Sequence, residues 1–432
     1  MPYYNPISSP HFQGGSSHSR WGATPRESST GASHHELEGP ANLNSSSESY
    51  DTCGSLEVVS VNHLPLEILA EIFLFCSDTL KRRYEFDRPA DPRRWRAPML
   101  LCQVCRHWRE VAISLPLLWC SLSGTGSFTP NPAFIKLWLA RSRGLPLSLS
   151  LEAPVGYENT PKYHAHASKM FDLFSNEMHR WRTMSFTLND NLARQFIATV
   201  DSKAQILEEL ELVLDRASSA SEEVSALLPS FPKLHKLSWW GNLSAASLCN
   251  IPFHRLTHVY MASCNSAQDV IACLSQCTMA LELHWHRVDC WDPPPVCGLP
   301  QTTLHLQSLY LKGTGDFAHI LSRLTLPSLK YLRLETQSKA QKHKLLEDFL
   351  HRSSCPLQQF ILDDIYVDQE SIVKYLTIPF LETIPDIQVY LGETAKDDVF
   401  QEMQELKDSQ DTPTFRRLQI SYPEGGPAFT WK

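Results

Sequence analysis

Four side chains in one short stretch have the chemistry to hold a metal ion. Cys273 and Cys277 with His284 and His286 form CxxxC followed by HxH, two thiols and two imidazoles of the kind that surround zinc. Their setting argues against it. The cysteines fall in a helical stretch and the histidines on the outward side of a strand, which places the two pairs in different layers. Cys102 and Cys105 make a CxxC, but both sit in an apolar helical stripe where a thiol serves as packing. Asp363-Asp364 ends a strand and reads as solvated, and Gly313-Thr314-Gly315 reads as a turn. His34-His35-Glu36 lacks the second histidine at helical spacing that a zinc protease needs. No GxSxG elbow, phosphate-cradling GxxxxGK[ST], GxGxxG after a strand or HExxH is present. The expectation is a chain with no catalytic residue, no metal and no cofactor.

The bulk numbers fit a protein that works by contact. A length of 432 residues with 42% hydrophobic content supports two or three domains with real cores. The net charge of −8 argues against nucleic acid as the main partner. No apolar run approaches the ~18 residues that cross a bilayer, so no membrane is expected. The opening MPYYNPISSPHFQGG has no basic stretch before an apolar block, and the 12 cysteines then read as reduced thiols in a cytoplasmic or nuclear protein.

The elements follow from periodicity. Residues 1–55 are rich in Ser, Gly, Pro, His and Asn without apolar rhythm, and are expected to be a disordered tail. Ser9-Pro10 and Thr24-Pro25 are its phosphorylatable dipeptides. Within residues 60–123 a first helix runs from Leu66 to about Cys76 behind Pro65, with Leu66, Leu69, Phe73 and Cys76 on one face and Ile68, Ile72 and Phe75 on the other. A second starts near Pro98 and stacks Leu101, Val104, Cys105, Trp108, Val111 and Ala112. Pro116 stops it ahead of Leu117, Leu118 and Trp119. A charged insert, residues 78–95, separates the two and contains the basic triplet Lys81-Arg82-Arg83.

Such a head carries an apolar surplus. A unit of about 60 residues hides only ~60% of its unfolded surface, so it cannot cover every face of a short apolar helix. Either the rest of the chain covers the leftover face or another protein does.

Leu64-Pro65-Leu66-Glu67-Ile68-Leu69, Ile72-Phe73, Leu101, Val104-Cys105-Arg106, Trp108-Arg109, Val111-Ala112 and Pro116-Leu118-Trp119 resemble an F-box of the form common in mushroom-forming fungi. The insert is longer than a compact F-box has. The resemblance implies docking to a Skp-family adaptor and, through it, to a cullin in an SCF-type ubiquitin ligase. Candidate adaptor-facing residues are Leu64, Pro65, Ile68, Leu69, Ile72, Phe73, Val104, Trp108 and Trp119. They mix the head's own core with its docking patch, and the sequence does not divide them. By resemblance, Leu64-Pro65 and the first helix contact the adaptor most, and Trp108 is more structural.

Residues 124–180 read as a connecting helix (Pro132 to Arg143) and strand (Leu145 to Glu152). From 181 to 422 the chain repeats itself. A phrase with apolar residues at positions 1, 4 and 6 starts at Trp181, Leu207, Leu234, Leu256, Ala280, Leu306, Leu329 and Leu357, at separations of 22 to 28 residues. It blurs around Leu381 to Val389 and at Phe415/Leu418/Ile420. Asn189, Asn242 and Cys264 hold the ninth position, where leucine-rich repeats of roughly 20–29 residues prefer Asn or Cys. Helical pieces are expected at 192–199, 221–228, 267–277, 316–324, 340–352, 369–376 and 396–407. The result resembles the degenerate leucine-rich repeats often found behind F-boxes, although an ordinary α/β domain with LxL strands stays open. Residues 423–432 form a short tail.

The fold expected is α/β overall: a small all-α F-box head, then a leucine-rich-repeat-like α/β solenoid with a parallel sheet. Alternation puts positions 3, 5 and 7 of each phrase on its inner wall. Trp240, Tyr260, His284, Tyr310, Tyr331 and Arg333 are the candidate target-binding residues, of the types that binding hot spots favour. A merely solvated wall stays open beside this. The function implied is a non-catalytic substrate receptor that holds an unknown protein target. The alternative is a protein-interaction scaffold that carries an F-box without a role in degradation.

Overall fold

The computed structural model describes residues 64–78, 96–124, 131–152, 161–200, 204–215, 219–290, 301–302, 305–315, 317–336, 343–364, 374, 378–391 and 418–421. The tails 1–55 and 423–432, nearly all of the insert 78–95 with its basic triplet, and the helices expected at 369–376 (save Lys374) and 396–407 lie outside the described residues.

The head is built from α1 (Leu66–Asp78), α2 (Arg96–Val104), α3 (Arg106–Ser114) and a 3-10 turn over Pro116–Trp119. Pro65 has no amide proton to lose at a helix start, and its carbonyl accepts the Leu69 N–H at 3.1 Å. The expected single second helix is two. Cys105 is fully extended (φ −156°, ψ 174°) and its sulfur accepts the Trp108 N–H, so it ends α2 and caps α3. Leu115 is extended ahead of Pro116, as a residue before proline prefers.

The solenoid follows without a joint. β1 (Ser121–Gly124), α4 (Pro132–Arg141), β2 (Leu147–Glu152), α5 (Pro161–Ser175), β3 (Trp181–Leu188), α6 (Asp190–Thr199), β4 (Glu209–Leu214), α7 (Ser221–Leu227), β5 (Lys236–Trp240), α8 (Ala245–Cys249), β6 (His258–Ser266), α9 (Ala267–Gln276) and β7 (Glu282–Cys290) come first. Then come β8 (Gln301–Thr302), β9 (Ser308–Gly315), α10 (Ala318–Leu321), β10 (Leu324–Thr325), β11 (Tyr331–Thr336), α11 (His343–Ser353), β12 (Gln359–Asp364), β13 (Asp386–Leu391) and β14 (Leu418–Ser421). Among the described residues twelve strands form one sheet in chain order, with β8 and β10 paired separately. Every pairing is parallel. The fold is an α/β, leucine-rich-repeat-like solenoid behind a small all-helical head.

A backbone device sets the register. The carbonyls of Glu208, His235, Thr257, Leu281, Gln307 and Lys330, each the second residue of its phrase, accept two N–H groups from the next phrase at 2.8–3.2 Å. Side chains add longer ties: Arg255 donates to the Leu228 carbonyl and Arg352 to those of Leu321 and Leu324, filling acceptors near the ends of earlier helical turns. The expected Asn/Cys ladder is different in detail. Asn189 caps α6, Asn242 is exposed, and the buried bond falls to Asn265, one place after Cys264, which donates to the Leu243 carbonyl at 3.2 Å.

Two further expectations change. The sheet starts at Ser121, so β1 and β2 belong to it and are not a connection ahead of it. Gly313-Thr314-Gly315 is no turn but the end of β9. One apolar core runs from Leu69 in the head to Val389 in β13. At the head it is locked by Trp119, whose indole N–H donates to the Ala112 carbonyl at 2.9 Å and whose ring meets Trp138 of α4 edge-on at 4.7 Å. Trp181 repeats the device, donating to the Phe174 carbonyl seven residues back.

Candidate docking surfaces

The head divides its apolar residues sharply. Leu69 and Phe73 are wholly buried, while Leu66 (56%), Ile68 (49%), Ile72 (39%) and Phe75 (68%) stand open on the same helix. Helical spacing explains it: Leu69 and Phe73 are four apart and share the inward stripe, and Ile68, Ile72 and Phe75 share the outward one. Leu100, Val104 and Leu117 are exposed too. Leu64 is half-buried and Pro65 exposed.

Three of the nine residues expected to face an adaptor are therefore corrected. Leu69, Phe73 and Trp119 are core, because their side chains fill the space between α1, α3 and the 3-10 turn. Trp108 is half-buried with its ring 4.9 Å from Phe73, so it braces the inward stripe. Sequence reasoning missed Leu66, Phe75, Leu100 and Leu117. Helical phase sets Phe75 on the face of Ile68 and Ile72, and Leu66 and Leu117 read as apolar, but none is in the candidate set; Leu100 has no signal.

On the solenoid, the pairing register aligns three ladders across the wall. The first runs Thr183, Glu209, Lys236, His258, Glu282, Ser308, Tyr331, Gln359, Asp386. The second runs Ser185, Glu211, Ser238, Tyr260, His284, Tyr310, Arg333, Ile361, Gln388. The third is split by the bulge in β7 at Arg287 (φ 62°): Glu152, Thr187, Val213, Trp240, Ala262 and His286 on one side, Lys312, Glu335, Asp363 and Tyr390 on the other.

All six candidate wall residues fall on these ladders, and all but Tyr331 join one aromatic and ionic network. His284 lies between Tyr260 (4.7 Å, edge-on) and Tyr310 (5.6 Å), and His286 between Trp240 (5.7 Å) and Tyr310 (4.9 Å). The Arg333 guanidinium covers Tyr310 at 4.7 Å and reaches Glu335 at 3.6 Å and Asp363 at 3.5 Å. Tyr331 is 44% exposed and its hydroxyl meets Gln358 at 3.2 Å. Tyr260 is a correction: it lies on the wall face but is covered there by its neighbours and donates to Glu282 at 2.7 Å, so it braces the wall and offers little surface of its own.

Crowding sets the charges. Burial pushes the His284 imidazole down to about 4, with the neighbouring Glu282 opposing, so it is neutral at pH 7. Burial, then the Glu335 carboxylate, pushes Asp363 up to about 6. Tyr260 and Tyr310 are raised by burial and by donating to carboxylates. Glu152 is raised by burial and then by Glu211.

The thiols lie elsewhere. Cys273 in α9 and Cys277 at its end are buried in the core, whereas His284 and His286 alternate with buried Trp285 and share the wall with Tyr310. Burial raises both thiols. Cys102 is likewise buried and raised, while Cys105 is the helix cap. No helix among the described residues is long and apolar enough to cross a membrane.

No protein-family model matches the chain, and no curated protein does. Among solved structures, the crystal structure of the Rad7 and Elc1 complex in yeast matches 85% of this chain and 92% of that chain, at 11% identity and a TM-score of 0.34. A likeness at that score assigns neither family nor partner.

Proposed function

We propose that the chain is a non-catalytic substrate receptor of an SCF-type ubiquitin ligase. The head acts as an F-box that docks a Skp-family adaptor and through it a cullin, and the wall holds a target protein. Holding a target beside the ligase raises the effective concentration of its lysines, so the chain contributes position and no bond-making group.

The observation that carries this reading is the outward stripe of α1. Ile68, Ile72 and Phe75 stand exposed beside fully buried Leu69 and Phe73, with Leu66 exposed at the helix start, and an apolar stripe kept out of the core is what a partner protein would cover. The motif residues of the F-box resemblance run through the same helix.

The test is co-expression with a Skp-family adaptor. A stable complex is expected, and Ile68→Ser with Phe75→Ser should abolish it while the fold survives. A wild-type chain that stays alone at micromolar concentration overturns the reading. An adaptor complex that never recruits a cullin would replace it with the scaffold alternative.

A further inference from the structure

We propose that the segment this wall takes from its target is basic and unphosphorylated. The inference rests on the reading of the wall as the target-holding surface, and it adds the chemistry of the partner.

Three observations on the ladders carry it. First, carboxylates outnumber cations: Glu152, Glu209, Glu211, Glu282, Glu335, Asp363 and Asp386 stand against Lys236, Lys312 and Arg333. Second, all three cations are already engaged. Lys236 pairs with Glu209 at 3.8 Å, Lys312 with Glu335, and Arg333 with both Glu335 and Asp363. A phosphate brings a charge of about −1.5 to −2 and needs unspent arginine or lysine to receive it; here it would have to break these pairs and face the released acids. Third, among the described residues Glu211, Glu282 and Asp386 accept from neutral donors. Glu211 accepts from Ser185 at 2.8 Å, Glu282 from Tyr260, and Asp386 from Gln359 and Gln388. Their charge is left for a partner to neutralise.

The rings between them suit the same partner. Arg333 already lies over Tyr310, and Lys236 lies 5.9 Å from the Tyr260 ring centre, so the wall's own cations show the mode in which a lysine or arginine meets an aromatic floor. Neutral His284 adds no opposing charge at pH 7.

The experiment uses the full chain on an array of short peptides of varied sequence, with phosphoserine, Asp, Glu, Lys and Arg at each position. Enrichment of Lys and Arg is expected, with binding that weakens as salt rises. The best basic peptide is then measured by fluorescence anisotropy. Glu211→Gln with Glu282→Gln should weaken it at least tenfold, and Lys236→Glu, which makes the wall more acidic, should tighten it. Melting temperatures confirm that the variants fold, and the opposite signs of the two changes exclude a general loss of structure. Selection of phosphoserine or acidic peptides, no preference by charge, or basic binding indifferent to all three substitutions overturns the proposal. Adaptor capture through α1, measured on the same variants, is expected to be unchanged, so a failed ligase reading is seen separately from a failed charge preference.

Discussion

The carbonyl oxygen of Val288 lies 2.1 Å from the point where a Cβ would stand on Gly313. The two residues are register partners, and they re-pair β7 with β9 just past the bulge. Because the obstacle is backbone, no side-chain rotation relieves it. Gly313→Ala is expected to cost ~3 kcal/mol or more, whereas Gly144→Ala, with open space but φ +80°, should cost about 1 kcal/mol. Urea denaturation of the two variants checks the contrast.

The two stripes of α1 should separate stability from docking. Phe73→Ala empties a core site and is expected to cost ~3–5 kcal/mol. Phe75→Ser, on the exposed stripe, should change stability by less than about 0.5 kcal/mol and still prevent adaptor capture. Thermal melts paired with pull-downs of each variant decide it.

Cys105 acts as a helix cap through its sulfur, which accepts the Trp108 N–H at 3.4 Å. Serine offers a better acceptor in the same place, so Cys105→Ser should be neutral or stabilising. Cys105→Ala should cost ~0.5–2 kcal/mol, as lost caps do. Equal melting temperatures for the two would show that the thiol caps nothing.

The wall holds two groups with opposite pH behaviour. His284 is lowered by burial from 6.5 to about 4, so the unfolded chain takes the proton first and stability is lost as pH falls from 6.5 towards 4. Asp363 is raised by burial from 3.8 to about 6, so the folded state takes the proton first and stability is gained as pH falls from 6 towards 3.8. His284→Gln should therefore make acid destabilisation shallower and Asp363→Asn should make it steeper. Stability measured at pH steps between 7 and 4 tests both signs.

What the sequence disclosed follows from where each signal is local. The 1-4-6 phrase exposed the strands from Trp181 onward because each places its buried leucines in the same positions as its neighbours. β1 escaped because it offers one buried leucine, Leu122, between serines. α5 escaped although Ala167, Met170, Phe171 and Phe174 mark its buried stripe, because polar residues dilute its first turns. The Cys105 break left no mark, since the apolar stripe runs straight through it. On the wall, alternation assigned the face correctly for all six candidates. It says nothing of how deeply a residue sits in a crowded sheet, and Tyr260 was read as a contact for that reason.

The edge-on stack of Trp119 on Trp138 joins the head to the sheet through shared core. Among the described residues the 3-10 turn runs directly into β1. A protein gripped on α1 and another gripped on the wall would keep a constant bearing to each other, as two fittings on one girder do. Any freedom needed to bring different lysines within reach would have to come from the passenger.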